Sequence, residues 1–376
     1  MQQRMDTFFQ EHEKELTFLE VDFNQINSGH KRGELIELPF LMEDFKAGYS
    51  EENSEIQLTT EGMIKGIGFL FGVDPEFHRN DEYKILLDSS GIDVSEYLLR
   101  LSNQYFDQGQ KVKALVLLRG ITIYRPDEVK SLFNYGISLL DIAESQNEEI
   151  LREEMKQEAK IKLEMILKKD PEFALPCYHL GFLYKDENLF VKAQKIWEKG
   201  IELGLEGHLE EHTNTLLREI EDLVQYEQGY HYVLYGKSNE GLKKLRPLEE
   251  RYPDWWNLLF FIGLALRQIQ DYPAAITYFH KVIELEKKLA DPYVEIGLSF
   301  AGMGEHEKSI EYLEKGMKMD PYSHEIPCNL AMVYLDKGDL KNARKFIDTS
   351  LALEPEDQVS LACEKQVEYY ENQQTL

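Results

Sequence analysis

The chain has 376 residues, enough for two or three ordinary domains or one long repeat array. Its 42 basic and 69 acidic residues leave a formal charge of −27, which argues against nucleic acid and membrane surfaces and favours a neutral or basic protein or peptide partner. Hydrophobic residues make up 43%, which excludes global disorder, and no run approaches the ~18 apolar residues of a membrane span.

The first 60 residues, taken as a non-repeat segment, begin with MQQRMDTFFQEHEKEL, which has no apolar run of the signal-peptide type. Phe8, Leu16, Leu19 and Phe23 fall at helical spacing. Residues 35–45, LIELPFLMEDF, are apolar and interrupted by Pro39; a short strand, a helix starting at Pro39 and a segment folded against the rest all fit. Residues 61–94 open with a helical pattern through Ile64, Ile67, Gly68 and Phe71 and then lose it, as a degenerate repeat or helical adaptor would.

From residue 95 onward the sequence repeats itself. Gly263, Gly297 and Ala331 fall 34 apart, as do Ala275, Ser309 and Ala343, and Phe279, Leu313 and Ile347. Each unit contains two apolar helical patterns joined by a short turn, and Pro321 and Pro355 stop the second helix in two of them. Small residues let the two helices approach, and large ones fill the space between hairpins. These residues resemble the tetratricopeptide repeat (TPR) family.

The register places units near 95, 129, 174, 222, 256, 290 and 324, spanning residues 95–357, with insertions near 143–153 and 208–221. Residues 358–376 are expected to form a C-terminal capping helix. The resemblance implies an all-α protein, a right-handed α-solenoid of about seven to eight TPR helix hairpins.

In that family, positions 5 and 9 of each unit point into the concave groove. Here they are Leu99/Asn103, Phe133/Ile137, Tyr178/Phe182, Tyr226/Tyr230, Phe260/Leu264, Val294/Leu298 and Cys328/Met332, apolar or aromatic except for Asn103. Arg267 lies at the edge. Such a stripe must be covered by something. The resemblance therefore implies a non-catalytic scaffold that binds a protein or peptide with apolar anchors, using Phe133, Ile137, Tyr178, Phe182, Tyr226, Tyr230, Phe260, Leu264 and Arg267. The alternative is a structural or self-associating solenoid whose groove is filled by its own N-terminal segment or by a second copy, as in a homodimer. The two-carboxylate clamp of TPR co-chaperones is missing, since Leu99 stands where its lysine would be.

A third reading comes from GHLEEHTN, residues 207–214, where His208, Glu211 and His212 follow the H-x-x-E-H order of a zinc peptidase. Nothing else in the chain resembles that mixed α/β fold. The repeat register places the motif in an insertion that lengthens one helix and carries the histidines into solvent. No phosphate-binding glycine loop or nucleophile elbow occurs, so neither an enzyme nor a cofactor is expected. Cys177, Cys328 and Cys363 are widely separated and odd in number, without metal spacing or a disulfide framework, and a reducing cytoplasm is the expected location.

Overall fold

The computed structural model describes residues 3–22, 35–47 and 59–374. The first elements are α1 (Gln3–Gln10), β1 (Leu16–Asp22), β2 (Leu35–Leu41) and α2 (Met42–Ala47). The helical spacing of Phe8, Leu16 and Leu19 is therefore overridden: Leu16 and Leu19 lie in a strand, and Phe23 lies outside the described residues. β1 pairs antiparallel with β2, Phe18 opposite Pro39. Among the described residues the sheet has two strands, so Pro39 sits on an edge strand, where a missing N–H is tolerated.

The next helices are α3 (Thr60–Val73) and α4 (Asn80–Ser89). Thr59 caps α3 by accepting from the Gly62 N–H at 3.0 Å. The glycine rhythm of KGIGFLFG is explained by close approach. A Cβ on Gly66 would lie 1.9 Å from the Pro39 carbonyl oxygen, and one on Gly72 would lie 1.9 Å from that of Val116. α3 therefore packs on β2 and on α6 (Lys111–Tyr124) rather than closing a hairpin with α4.

The repeats follow as helix pairs. They are α5 (Val94–Asp107) with α6, α7 (Val129–Glu144) with α8 (Glu149–Lys169), and α9 (Leu175–Asp186) with α10 (Phe190–Glu202). After α11 (His208–Glu219) come α12 (Glu221–Leu234) with α13 (Ser238–Glu249), α14 (Trp256–Gln268) with α15 (Tyr272–Leu285), α16 (Asp291–Gly302) with α17 (His306–Met319), and α18 (Glu325–Asp336) with α19 (Leu340–Leu353). In each unit the fifteenth position, where the chain turns between helices, is left-handed: Gly109, Asn188, Gly236, Gln270, Gly304 and Gly338 all have φ between 58° and 84°. The exception is the unit at 129, where the insertion lengthens α8 to 21 residues.

The expected lengthening of one helix by the second insertion is not what forms. α11 and α12 are separate helices, divided at Ile220, whose φ of −94° and ψ of 0° depart from helical values. Ile220 is also buried.

By contacts the chain divides into two compact units, Met1–Leu217 and Arg218–Leu376. In the first, one core runs from Met5 and Phe9 through the strands and α3 to Ala159, and a smaller one joins Leu132, Leu163 and Leu180. In the second, one core centres on Ile262 and Phe279 and another on Leu330 and Ile347. The last helix, α20 (Gln358–Gln374), closes the second core: Val367 is buried, and Arg344 holds the Glu371 carboxylate with Nε at 3.1 Å and Nη2 at 2.5 Å.

Candidate functional site

The repeat geometry begins with one contact per hairpin. A small residue at position 8 faces a large one at position 24: a Cβ on Gly263 would lie 2.8 Å from Phe279, and one on Gly297 would lie 2.7 Å from Leu313. Gly181 is tighter still, 2.0 Å from the Trp197 indole nitrogen, which donates to the Tyr178 carbonyl at 2.9 Å. These contacts fix the rotation of each first helix against its partner.

In the first unit, Phe133, Ile137, Tyr178 and Phe182 are all half-buried. The Phe133 ring lies 5.1 Å from Phe173 and 5.9 Å from His179, and Tyr178 lies 5.2 Å from Phe182. The Phe182 ring rests edge-on against Trp197 at 5.4 Å. Burial holds the His179 imidazole neutral, with its pKa down at about 4.

His212 belongs to this surface. Its ring nitrogen is 2.8 Å from the Tyr178 hydroxyl, and its ring lies 6.0 Å from Phe182. Both His208 and His212 are exposed, and among the described residues no group of three His, Cys, Asp or Glu side chains gathers in a metal-holding arrangement. His212 lies 34 residues after Tyr178 and engages its hydroxyl, so one histidine of the His208–Glu211–His212 pattern faces a tyrosine instead of a shared metal position.

In the second unit, Tyr226, Tyr230, Phe260 and Leu264 are half-buried as well. The Tyr226 ring lies tilted 4.3 Å from Trp255, and Tyr230 stacks 5.1 Å from Phe261. Phe260 sits 5.6 Å from the core ring of Phe279. Burial raises the Tyr226 and Tyr230 pKa values, so both are neutral phenols near pH 7. Trp255, Phe261, His179 and Phe173 were not among the expected site residues. Phe261 and His179 occupy position 6, one place beyond the inward position, and that signal was available in the register.

Two expectations change. Arg267 is committed to an ion pair with Glu295, a carboxylate whose pKa burial pushes up while the guanidinium pulls it back. Cys328, an expected inward position, is buried in the core that Cys363 of α20 packs against and offers little accessible surface. Rim carboxylates are also tied within the repeats: Lys111 holds Asp141 at 2.6 Å, Lys156 holds Asp186 at 2.9 Å, and His306 reaches Asp336 at 2.7 Å.

The N-terminal elements make contacts elsewhere. The Met5 N–H donates to Glu154 of α8 at 3.0 Å, Asp6 meets Arg119 of α6 at 2.7 Å, and Arg119 covers the Phe9 ring at 4.2 Å. Glu43 accepts from Lys65 at 2.8 Å, from Lys113 at 2.7 Å and from the Tyr105 hydroxyl. These contacts lie mainly on α3 and on second helices of the repeats. They do not support the alternative in which this segment fills the inward face; residues 23–34 and 48–58 lie outside the described residues.

Stacked helix hairpins, each keyed by a small-against-large contact, define an α-solenoid, a class whose first helices form an extended interaction surface. Residues 258–293, 290–323 and 325–357 match family models described as Tetratricopeptide repeat, and the chain carries tetratricopeptide repeats. It is 34% identical over 111 residues to the RNA polymerase-associated protein CTR9 of Caenorhabditis elegans, a match covering 28% of this chain and 10% of that protein. It is 22% identical over 274 residues to the TPR repeat-containing protein YpiA of Bacillus subtilis, covering 67% of this chain and 62% of that one. The chain thus spans less than two-thirds of the length of these curated relatives. The solved structure of the APC/C hetero-tetramer Cut9–Hcn1 aligns with a TM-score of 0.41 at 16% identity, covering 80% of this chain and 62% of that one. Among the described residues no helix is long and apolar enough to cross a membrane.

Proposed function

We propose that the chain is a non-catalytic scaffold that holds another protein or a peptide on the inward aromatic faces of its repeats. The supporting observation is the half-buried ladder Tyr226, Tyr230, Trp255, Phe260 and Phe261. The rings pack on one another yet keep part of their surface accessible, and their hydroxyls remain protonated. Such rigid amphipathic side chains supply contact area at low entropic cost. Phe133, Tyr178 and Phe182, flanked by His212, offer the same chemistry in the first unit.

The partner segment carries apolar anchors. The formal charge of −27 favours neutral or basic flanks. The test is affinity capture from native extract with the wild type and with Tyr226→Ala/Phe260→Ala and Tyr178→Ala/Phe182→Ala. The captured partner should be lost from at least one variant while helicity is retained; unchanged capture by both rejects the proposal.

A further inference from the structure

We propose that the cleft between α1 and α8 is a second docking site, separate from the inward faces, and that it takes a lysine- or arginine-bearing amphipathic helix of a partner protein. The second helix of the unit at 129 has 21 residues where α6 has 14, an excess of seven residues or about 10 Å. Packing a repeat does not require that length. Along the elongated helix, Ile150, Glu154, Gln157, Glu158 and Ile161 recur at the spacing of one helical stripe. Ile150 is 53% and Ile161 47% exposed, so the stripe presents branched apolar side chains to solvent at both ends.

Alongside runs α1, fixed by the Met5–Glu154 hydrogen bond, the Arg4–Glu148 ion pair and the Arg119–Asp6 ion pair. Between the helices lies a cleft of about 750 Å³, with Met5, Ile150 and Ile161 as its apolar lining and Glu149, Glu153, Glu154 and Glu158 around it. Its long axis, from Ile150 to Ile161, covers eleven residues, about 16 Å, or three helical turns.

Charge chooses the occupant. Glu154 already accepts the Met5 N–H and Glu158 is bridged by Lys162 at 3.0 Å. Glu153 has Lys156 at 3.9 Å, so among the described residues Glu149 and Glu153 are the least compensated carboxylates of the rim. An apolar floor between two helices, edged by carboxylates, fits a third helix with apolar anchors at three- and four-residue spacing and basic residues beside them. A second copy of this chain, at −27, would bring like charge to the same rim.

The probe is a fluorescein-labelled amphipathic peptide of about 14 residues, with leucines at three- and four-residue spacing and lysines elsewhere. It is titrated by anisotropy into the full chain, with a glutamate-for-lysine peptide as control. The lysine peptide should bind and the glutamate peptide should not. Ile150→Asp/Ile161→Asp should weaken binding at least about tenfold, since both apolar anchors of the stripe are replaced by carboxylates. Glu149→Lys/Glu153→Lys should weaken it about fivefold or more and flatten its salt dependence. Tyr226→Ala/Phe260→Ala should bind as the wild type does, which separates this site from the inward faces.

The substituted α8 positions are at the surface, and unchanged circular dichroism checks the fold. Affinity unchanged in both α8 variants, or lost in Tyr226→Ala/Phe260→Ala, overturns the proposal. So does a concentration-dependent dimer, seen by light scattering of the free chain, that Ile150→Asp/Ile161→Asp abolishes, because the occupant is then a second copy.

Discussion

Gly181 and Gly136 occupy the same repeat position, yet the structure predicts opposite outcomes for the same substitution. A Cβ on Gly181 would sit 2.0 Å from the Trp197 indole nitrogen and 2.2 and 2.4 Å from two ring carbons. Trp197 is fully buried and must move by about 1.5 Å to restore ordinary contact. Overpacking of this kind costs about 1–3 kcal/mol. The displaced indole also weakens its hydrogen bond to Tyr178, adding about 1 kcal/mol. Alanine offsets about 1 kcal/mol through its better helix propensity. Gly181→Ala should therefore destabilise by about 1–3 kcal/mol. At Gly136 the nearest atoms to a new Cβ lie 3.6 Å away, so Gly136→Ala retains the propensity gain and should stabilise by about 0.5–1 kcal/mol. Trp197 is the one tryptophan of the first unit, so its emission in a Trp255→Phe/Trp256→Phe background follows that unit's unfolding. At about 2–4 °C per kcal/mol, the two variants should melt on opposite sides of the parent. Equal shifts, or a neutral Gly181→Ala, would refute the packing argument.

Three further outcomes follow from local geometry. Gln270 takes the left-handed turn conformation that glycine takes in the neighbouring units, so Gln270→Gly should stabilise by about 0.5–1 kcal/mol, read as a raised Tm. His179 is neutral in the fold, with a pKa of about 4 against an unfolded value near 6.5, so its contribution is complete above about pH 6.5 and lost as pH falls toward 4. Urea midpoints across that window should fall in the parent and flatten in His179→Phe. For Glu43, burial raises the pKa, but Lys113, Lys65 and Tyr105 outweigh it and hold the carboxyl down at about 2. The stability it supplies is present above about pH 4.5 and lost as pH falls toward 2. At neutral pH, Glu43→Gln should speed amide exchange in β1 and β2, while exchange in α14 stays unchanged.

The repeats were legible because their packing residues recur: the glycine at position 8 and the large residue at 24 meet in the structure as the register implied. The half-buried aromatics Phe133, Tyr178, Phe182, Tyr226, Tyr230 and Phe260 fall on the same count. What the register did not disclose was pairing chosen by tertiary context. Leu16 and Leu19 have helical spacing but lie in a strand opposite residues 38–41, a long-range choice with no local mark. Arg267 stands at the edge by register, but Glu295, 28 residues on, pairs with it. The histidines of GHLEEHTN followed a metal-site pattern, but His212 sits one repeat length after Tyr178 and meets its hydroxyl.

The proposed function places a partner on the inward aromatic faces. The most direct measurement is isothermal titration of the partner segment recovered by capture into wild type and Tyr226→Ala/Phe260→Ala and Tyr178→Ala/Phe182→Ala chains. Removing two aromatic anchors from the binding face should weaken affinity at least about tenfold in one of the variants, with helicity preserved. Wild-type affinity in both would contradict the claim.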